Sequence, residues 1–185
     1  MALGGGAVVV AAATGAKGAA LGGSALLQVE HGRKEGTPPP CDLAKEKTLH
    51  NALLGLIETG VVKSAHDCAE GGLAVAAAEC AISELTARQT PRLTGAEIDL
   101  SDVKSERVDA LLYGEAHGRV IITTSEVEAG AAIERAMLIG VPAQRIGTVT
   151  AGETLDIGVG DTSLSWKLSD LHDVWWNTIA RAMDR

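Results

Sequence analysis

The apolar positions of this chain form short runs that are separated by glycine, proline and polar residues. Residues 7–13 are an unbroken run of alanine and valine, which is the pattern of a buried strand. Apolar residues at helical spacing predict a helix over 43–58, with Asp42 as its N-cap and Gly60 just beyond its end. The apolar face predicted for this helix consists of Leu43, Leu49, Leu53, Leu54 and Ile57.

A second strand and a second helix meet at a pair of glycines. A short strand over 61–65 runs into the polar segment 66–72, and an alanine-rich helix is predicted over 72–85. Such a helix has a face of small side chains, which lets it lie close to a sheet. A polar loop around Pro91 separates it from a short predicted strand over 97–100.

The second half of the chain is predicted to contain more strands than helices. Apolar runs over 108–113 and 119–124 predict two strands joined by a hairpin turn that contains glycine. Two more strands, over 145–150 and 154–159, are predicted to pair around a second glycine turn. These four segments add antiparallel pairs to the predicted sheet.

Two further helices complete the predicted fold, one over 126–138 and the last over 169–183. The last helix presents Leu171, Trp175, Ile179 and Met183 on one face. We find no internal repeat, low-complexity tail or linker. The order of elements predicts a single domain over residues 1–185, with an α/β (α+β) fold in which a mixed β-sheet sandwich is packed by helices.

Composition and charge exclude several classes of function. The formal net charge is −8 and no basic run is present, which argues against nucleic acid as a partner. Backbone N–H groups nevertheless hold small phosphorylated ligands without a net positive charge. The apolar run over 7–13 is far too short to cross a membrane, so we expect no membrane partner. Cys41, Cys68 and Cys80 lack CxxC or zinc-type spacing, which is typical of a reduced, cytoplasmic protein.

The segment 64–72 is the first candidate site. A strand that ends in His66-Asp67 is followed by Glu70 and by Gly71-Gly72, which open a helix. Unpaired N–H groups and the helix dipole at such a junction favour an anion, most often phosphate. The alternative is that Asp67 caps the helix while the two glycines permit close packing. The sequence leaves both interpretations open.

Two other segments carry candidate chemistry. Residues 14–24 follow a strand with TGxxGxxxG spacing, but Gly22-Gly23 interrupts the helix that a dinucleotide site needs. In the segment 114–119, Glu115, His117 and Arg119 form either a polar cluster at a turn or a solvated hairpin tip. Neither a GxSxG elbow nor an HExxH motif is present, so we predict no catalytic residue and no metal ligand in this chain.

Five motifs occur in one order along the chain: LGGS (21–24), HG (31–32), PPCDL (39–43), SAHDCAEGGLAVAAAE (64–79) and GEAHGRV (114–120). In these motifs the chain resembles the phosphoribosylformylglycinamidine synthase family, and within it the last domain of the large synthetase component. It differs where the family commonly has serine (Ala69), Glu-Tyr (25–26) and Ser-Gln (116–117). The domain type is shared with aminoimidazole ribonucleotide synthetase, selenophosphate synthetase, and the hydrogenase maturation and thiamine-phosphate kinases.

The resemblance implies a role in an ATP-dependent ligase of purine biosynthesis. That enzyme converts formylglycinamide ribonucleotide and ammonia, taken from glutamine, to the amidine, with ATP and Mg²⁺ as cofactors. The resemblance places the catalytic groups in other modules, so this chain alone is expected to be inactive and to hold no certain cofactor of its own. A core strand follows Met1 almost at once, and we therefore expect a fragment of a larger synthetase.

The resemblance also implies partners and a set of ligand-facing residues. The expected partners are the remaining modules of the synthetase, a glutaminase and a small bridging subunit. The phosphate- or ligand-facing candidates are Gly22, Gly23, Ser24, His66, Asp67, Glu70, Gly71, Gly72, Glu115, His117 and Arg119. One alternative function is a noncatalytic interaction or scaffold module that packs on a partner domain or forms a homo-oligomer. In this alternative the Trp175-Trp176 pair is half core and half partner surface. Another is a selenophosphate or aminoimidazole ribonucleotide type of synthetase, although LGGS and GEAHGR favour the first family.

Overall fold

A computed structural model describes residues 6–12, 21–82, 93–103, 105 and 107–184. The strands are β1 (Gly6–Ala12), β2 (Val62–Asp67), β3 (Gly95–Asp99), β4 (Arg119–Ser125), β5 (Ala143–Thr150), β6 (Thr154–Val159) and β7 (Thr162–Lys167). The helices are α1 (Ala25–His31), α2 (Leu43–Glu58), α3 (Gly72–Ile82), α4 (Val108–Tyr113), α5 (Ala129–Leu138) and α6 (Leu168–Met183). The prediction of a mixed α/β fold is therefore confirmed.

The seven described strands form one mixed sheet in the order β2-β4-β1-β5-β3-β6-β7. The first strand lies inside the sheet, where it pairs antiparallel with both β4 and β5. The pairing of β3 with β6 is parallel, and the other described pairs are antiparallel. Ala7, Val8 and Val9 are all buried although neighbours on a strand point to opposite faces, so burial of both faces explains why β1 is apolar without alternation.

Helices cover both faces of the sheet. Neighbouring residues of one strand point to opposite faces, so Val8 and Ile121 join one core cluster while Val9 and Ile122 join the other. The first cluster lies under α3 and α4 and includes Leu168 at the start of α6. The second lies under α2 and α5. The result is a three-layer arrangement with an aliphatic core, as the composition predicts.

The helix α2 confirms the predicted ends but not the predicted face. Asp42 Oδ1 accepts hydrogen bonds from the N–H groups of Ala44 (3.1 Å) and Lys45 (3.2 Å), and Gly60 has a φ of +73°. The buried residues are Leu49, Ala52 and Leu56, whereas three residues of the predicted face are exposed: Leu43, Leu54 and Ile57. The stripe that contacts the sheet and α5 follows the i, i+3, i+7 spacing, and an apolar residue beside that stripe stays in solvent.

The prediction of a strand over 108–113 and of a hairpin to 119–124 is wrong. Residues 108–113 form the short helix α4, whose consecutive residues Ala110, Leu111 and Leu112 are all buried. A six-residue apolar run does not distinguish a strand from a buried helical turn by its pattern. Here the run packs against α3 as a helix, and β4 pairs with β1 and β2 instead.

The C-terminal strands exist but are ordered differently from the prediction. The segments predicted at 145–150 and 154–159 are β5 and β6, yet β3 lies between them in the sheet. The prediction of a direct pair is therefore wrong, because β3 offers hydrogen-bonding partners to both. The sequence analysis did not predict β7 or α1. Most of the glycine segment 14–24, the end of the helix predicted over 72–85 and the loop around Pro91 lie outside the described residues.

Candidate functional site

The segments 66–72 and 114–119 meet at one cleft of about 400 Å³. It lies where β2 ends and β4 begins, and α2 forms one of its walls. Residues of α2 and of both segments line the cleft: Glu46, Leu49, His50, Asp67, Cys68, Ala69, Glu70, Glu115, Ala116, His117, Gly118, Arg119 and Val120. Two regions that are far apart in sequence therefore share one site.

The side chain of Glu115 ties the segment 21–24 to this cleft. Its Oε1 atom accepts hydrogen bonds from the N–H groups of Ala25 and Gly71, each at 2.8 Å. Ala25 is the first residue of α1, whose N-cap is the buried Ser24. One carboxylate oxygen thus contacts a residue next to LGGS and a residue of the HDCAEGG segment.

The backbone conformation at the start of α3 requires glycine at positions 71 and 72. Gly71 and Gly72 have φ values of +74° and +72°, which side chains rarely adopt. A Cβ atom on Gly72 would lie 2.7 Å from the backbone carbon of Tyr113 and 2.8 Å from the oxygen of Gly114. The packing alternative is therefore correct for Gly72, although its neighbour is the end of α4 rather than the sheet.

The capping alternative does not describe Asp67. Glu115, and not Asp67, accepts the N–H of Gly71 at this helix start. Asp67 is an exposed residue that lines the cleft, as does Glu70. Their carboxylates are therefore available to a ligand in the cleft.

Gly22 and Gly23 hold the LGGS segment against the proline-rich loop. A Cβ atom on Gly22 would lie 2.0 Å from the carbonyl oxygen of Thr37, so only glycine fits there. The N–H of Gly23 donates to the carbonyl of Glu35 at 2.9 Å. Gly22 therefore has a packing role, whereas Gly23 is favoured by its φ of +75° and not by packing.

His66 lies at the end of β2 and contacts α3. Its Nε2 atom is 3.2 Å from Oε2 of Glu79, and its Nδ1 atom is 2.7 Å from the carbonyl oxygen of Asp67. Both side chains of the His66–Glu79 pair are two-thirds buried. The pair joins β2 to α3, and the sequence analysis did not identify Glu79 as a partner.

Arg119 is buried beneath the cleft. Its Nη1 atom donates to the carbonyl of Leu111 at 3.0 Å, and its Nη2 atom donates to the carbonyl of Gly114 at 2.6 Å. These carbonyls belong to the end of α4, where helices leave unpaired acceptors. The thiol of Cys68 lies beside the guanidinium. Burial raises the pKa of this thiol to about 11.

Two polar atoms of the cleft lining are buried and have no hydrogen-bond partner among the described residues. They are Oε1 of Glu46, which is an acceptor, and Nε of Arg119, which is a donor. Buried polar atoms are usually paired with protein, water or ligand. The thiol of Cys68 lies beside the Arg119 guanidinium, so the Glu46 oxygen is the polar atom of this wall that a ligand or an ordered water would pair with.

The charge of the lining is predominantly negative. Glu46, Asp67, Glu70 and Glu115 contribute carboxylates, while Arg119 directs both terminal nitrogens to backbone carbonyls. Across the described ranges, no group of three or more His, Cys, Asp and Glu side chains is arranged to hold a metal ion. The described residues of the cleft therefore do not by themselves provide three side-chain ligands for a Mg²⁺ ion.

A second surface feature lies between α3 and α6. An apolar groove of about 340 Å³ is lined mainly by hydrophobic side chains: Ala74, Val75, Ala78, Glu79, Ile82, Tyr113, Leu155, Trp166, Leu171, Val174 and Trp175.

No helix in the described part of the chain has the length and apolar character needed to cross a membrane.

Comparison with known sequences gives the family of the chain. The family model of "AIR synthase related protein, C-terminal domain" matches residues 4–160. The chain belongs to this family. Among curated relatives of this family member, subunit PurL of phosphoribosylformylglycinamidine synthase from Chelativorans sp. (strain BNC1) is 38% identical over 174 residues, which is 92% of this chain and 22% of that protein. The same subunit from Deinococcus radiodurans is 38% identical over 84% of this chain and 20% of its own length.

Solved structures share the fold of this AIR synthase related domain. Thermotoga maritima PurL, described as complexed with FGAR, superimposes with a TM-score of 0.70 at 23% identity, over 90% of this chain and 28% of that one. The hydrogenase maturation protein HypE superimposes with a TM-score of 0.56 at 18% identity, over 86% of this chain and 51% of that one. The chain spans about a fifth of the length of the curated relatives that it matches.

Proposed function

We propose that this chain serves as the C-terminal domain of a phosphoribosylformylglycinamidine synthase. That ligase converts formylglycinamide ribonucleotide, ammonia from glutamine and ATP to formylglycinamidine ribonucleotide in purine biosynthesis. Support comes from the family match and from curated relatives that carry this name over most of the chain. The observation that carries the proposal is the cleft itself, because residues 67–70 and 115–120 of two family-like motifs line it beside a buried Glu46 oxygen that has no hydrogen-bond partner among the described residues.

We propose two kinds of role for the candidate residues of the cleft. Asp67, Glu70 and His117 are exposed residues of the lining and form the ligand-facing wall. The others shape that wall through the contacts described above: Gly22, Gly23, Ser24, His66, Gly71, Gly72, Glu115 and Arg119. In this proposal the chain contributes no catalytic group, and the reaction is completed by other modules of the enzyme.

The proposed cofactors and partners belong to the complete enzyme. Thermotoga maritima PurL has been solved in complexes with ATP and with ADP, and a PurLQS structure from that organism shares this fold. We propose ATP and Mg²⁺ as cofactors, and the remaining synthetase modules, a glutaminase and a bridging subunit as partners. We also propose that residues 1–185 form a single domain and that the protein is cytoplasmic, which agrees with its three free cysteines.

A titration followed by NMR tests the ligand-facing wall. Formylglycinamide ribonucleotide is added to the ¹⁵N-labelled chain, first alone and then with ATP and Mg²⁺. We expect shifts in the amide signals of Asp67 and Glu70, with none at Gly130, which lies on α5 away from the cleft. The Asp67→Asn variant should weaken the response, while Asp161→Asn, at an exposed turn, should leave it unchanged. A complete absence of shifts in the segment 67–72 contradicts the proposal.

An activity assay tests where the catalytic groups lie. The isolated chain is expected to show no ammonia-dependent hydrolysis of ATP with formylglycinamide ribonucleotide. The control is a complete synthetase of the family assayed under the same conditions. Turnover by the isolated chain would show that its own residues are catalytic, against the proposal.

The second candidate function is an interaction module, and α6 is the observation that favours it. Its last two turns expose Ile179 (74%) and Met183 (81%), on the helix face that buries Leu168 at the first turn. The opposite face is polar, with Asp173 bonded to Arg181 and Asn177. An apolar face that continues beyond the body of the domain is typical of a surface covered by another protein surface.

Sedimentation of the chain tests whether the exposed face of α6 pairs with a second copy. If α6 pairs with a second copy, the chain forms a dimer, and a double variant (Ile179→Ser and Met183→Ser) is a monomer. The Val127→Ser variant removes a single exposed apolar side chain elsewhere and serves as the control. A monomer at every concentration argues against a homo-oligomer.

A further inference from the structure

The anion at the start of α3 is part of the protein. The sequence pattern around Gly71 and Gly72 indicates a place for phosphate, because N–H groups at a helix start attract negative charge. In the structure, the N–H of Gly71 already donates to the carboxylate of Glu115 at 2.8 Å. A ligand phosphate would have to displace this carboxylate in order to bind there.

The same oxygen also receives the N–H of Ala25, and this second bond connects two loops. Ala25 lies 90 residues before Glu115 in sequence, and Gly71 lies 44 residues before it. Among the described residues, no backbone hydrogen bond joins the segment 21–25 directly to the segment 68–72. The Glu115 side chain therefore supplies a hydrogen-bonded link between these loops.

The backbone immediately before Glu115 is held by two hydrogen bonds at Gly114. The N–H of Gly114 donates to the carbonyl of Ala110 at 3.0 Å, and the carbonyl of Gly114 accepts from Arg119 at 2.6 Å. A carboxylate on a fixed backbone is preorganised as an acceptor, and hydrogen bonds to charged groups are stronger than neutral ones. Asp67 is an exposed residue of the same lining, so it serves as a matched comparison for Glu115.

We infer that Glu115 is a positioning residue that fastens the LGGS loop and the HDCAEGG loop to each other and excludes external phosphate from the start of α3. Both loops then move as one unit. As a consequence, a ligand that binds against Asp67 and Glu70 changes the conformation or mobility of residues 21–25 as well. That last consequence rests on the proposed function, whereas the link between the loops does not.

Amide hydrogen exchange in the intact chain tests the link. In Glu115→Ala, exchange at Ala25 and Gly71 should accelerate together by about tenfold or more, because both lose a charged acceptor. Glu115→Gln keeps an oxygen at the same reach and should restore much of the protection at both sites. Asp67→Ala and Asp67→Asn, at an exposed position of the same lining, should change neither site. A folded Glu115→Ala chain with unchanged exchange at either amide overturns the inference.

Two measurements keep the test decisive if Glu115→Ala does not fold. In the unaltered chain, scalar couplings across the hydrogen bonds are expected between the carboxyl carbon of Glu115 and the amide nitrogens of Ala25 and Gly71. Their absence at both sites overturns the inference. Inorganic phosphate, added to the unaltered chain, should leave both amide signals in place. Saturable shifts at Gly71 would show that phosphate displaces the carboxylate, which contradicts the exclusion. Neither result depends on catalytic activity.

Discussion

The guanidinium of Arg119 and the thiol of Cys68 lie side by side beneath the cleft. Burial raises the pKa of the thiol from 9.0 to about 11, and the neighbouring positive charge opposes part of that rise. Burial likewise lowers the pKa of the guanidinium, and Cys68 opposes that change. Because of Cys68, the free energy of unfolding is expected to vary with pH in the alkaline range. Because of Arg119, it is also expected to depend on a guanidinium group at this position.

Stability is expected to fall as the pH rises from about 9 to about 11. The unfolded thiol of Cys68 loses its proton near pH 9, whereas the folded thiol keeps it until about pH 11. In this window the unfolded state binds fewer protons, so the free energy of unfolding decreases with pH. The difference of about two between the pKa of the folded and the unfolded thiol corresponds to a loss of roughly 2–3 kcal/mol in the free energy of unfolding. Urea unfolding at a series of pH values measures the slope.

Cysteine variants at two positions test whether Cys68 causes the fall in the free energy of unfolding at alkaline pH. Cys68→Ala should reduce the slope, while Cys41→Ala, at an exposed position, should leave it unchanged. Cys80 is exposed, yet desolvation and the neighbouring Cys68 raise its pKa to about 11, so the slope in Cys68→Ala is reduced and not abolished. Equal slopes in the unaltered chain and in Cys68→Ala contradict this account.

Arg119→Lys is expected to destabilise the fold although the charge is kept. Lysine has a single ammonium group and does not reproduce the two nitrogens that bind the carbonyls of Leu111 and Gly114. A buried acceptor left unpaired costs about 1–3 kcal/mol. Thermal unfolding measures the loss, and Arg135→Lys on the exposed surface of α5 is the matched control, with an expected change within about 0.5 kcal/mol. Similar changes in the two variants would argue that the bidentate contact is unimportant.

Gly72→Ala and Gly55→Ala should change stability in opposite directions. Gly72 has a positive φ and lies against the backbone at the end of α4, so alanine combines about 1–2 kcal/mol of backbone strain with about 1–3 kcal/mol of overpacking. Gly55 is an exposed residue inside α2 with open space around its Cα, so alanine should stabilise by about 0.5–1 kcal/mol. Chemical denaturation of both variants checks the sign, and destabilisation by Gly55→Ala would be inconsistent with the helix geometry.

Asp42→Ala should cost about 1 kcal/mol of stability, because it removes the acceptor for the N–H groups of Ala44 and Lys45. Asp42→Asn keeps a side-chain oxygen at the same place and should retain most of the stability. Asp161→Ala at an exposed turn is the control. Thermal unfolding compares the three variants, and equal losses for alanine and asparagine at position 42 would show that the cap contributes little.

Local chemistry makes several elements predictable from the sequence. An unbroken apolar run predicts β1, and the cap at Asp42 with the glycine at position 60 predicts the ends of α2. The pattern His66-Asp67 followed by Gly71-Gly72 correctly marks a strand that ends where a helix begins. Each of these signals consists of residues that are close together in sequence, so it can be interpreted without knowing any distant contact.

The sequence by itself determined the family-like motifs, the strand-to-helix junction and the aliphatic character of the core. The tertiary structure decided the rest. Residues 108–113 are a helix because α3 offers a packing surface, and β3 lies between β5 and β6 because strand pairing is a contact between distant segments. The role of Glu115 also depends on distant partners, since its acceptor oxygen meets the N–H groups of Ala25 and Gly71 only after the chain has folded. A pattern along the chain describes neighbours in sequence, whereas these features depend on neighbours in space.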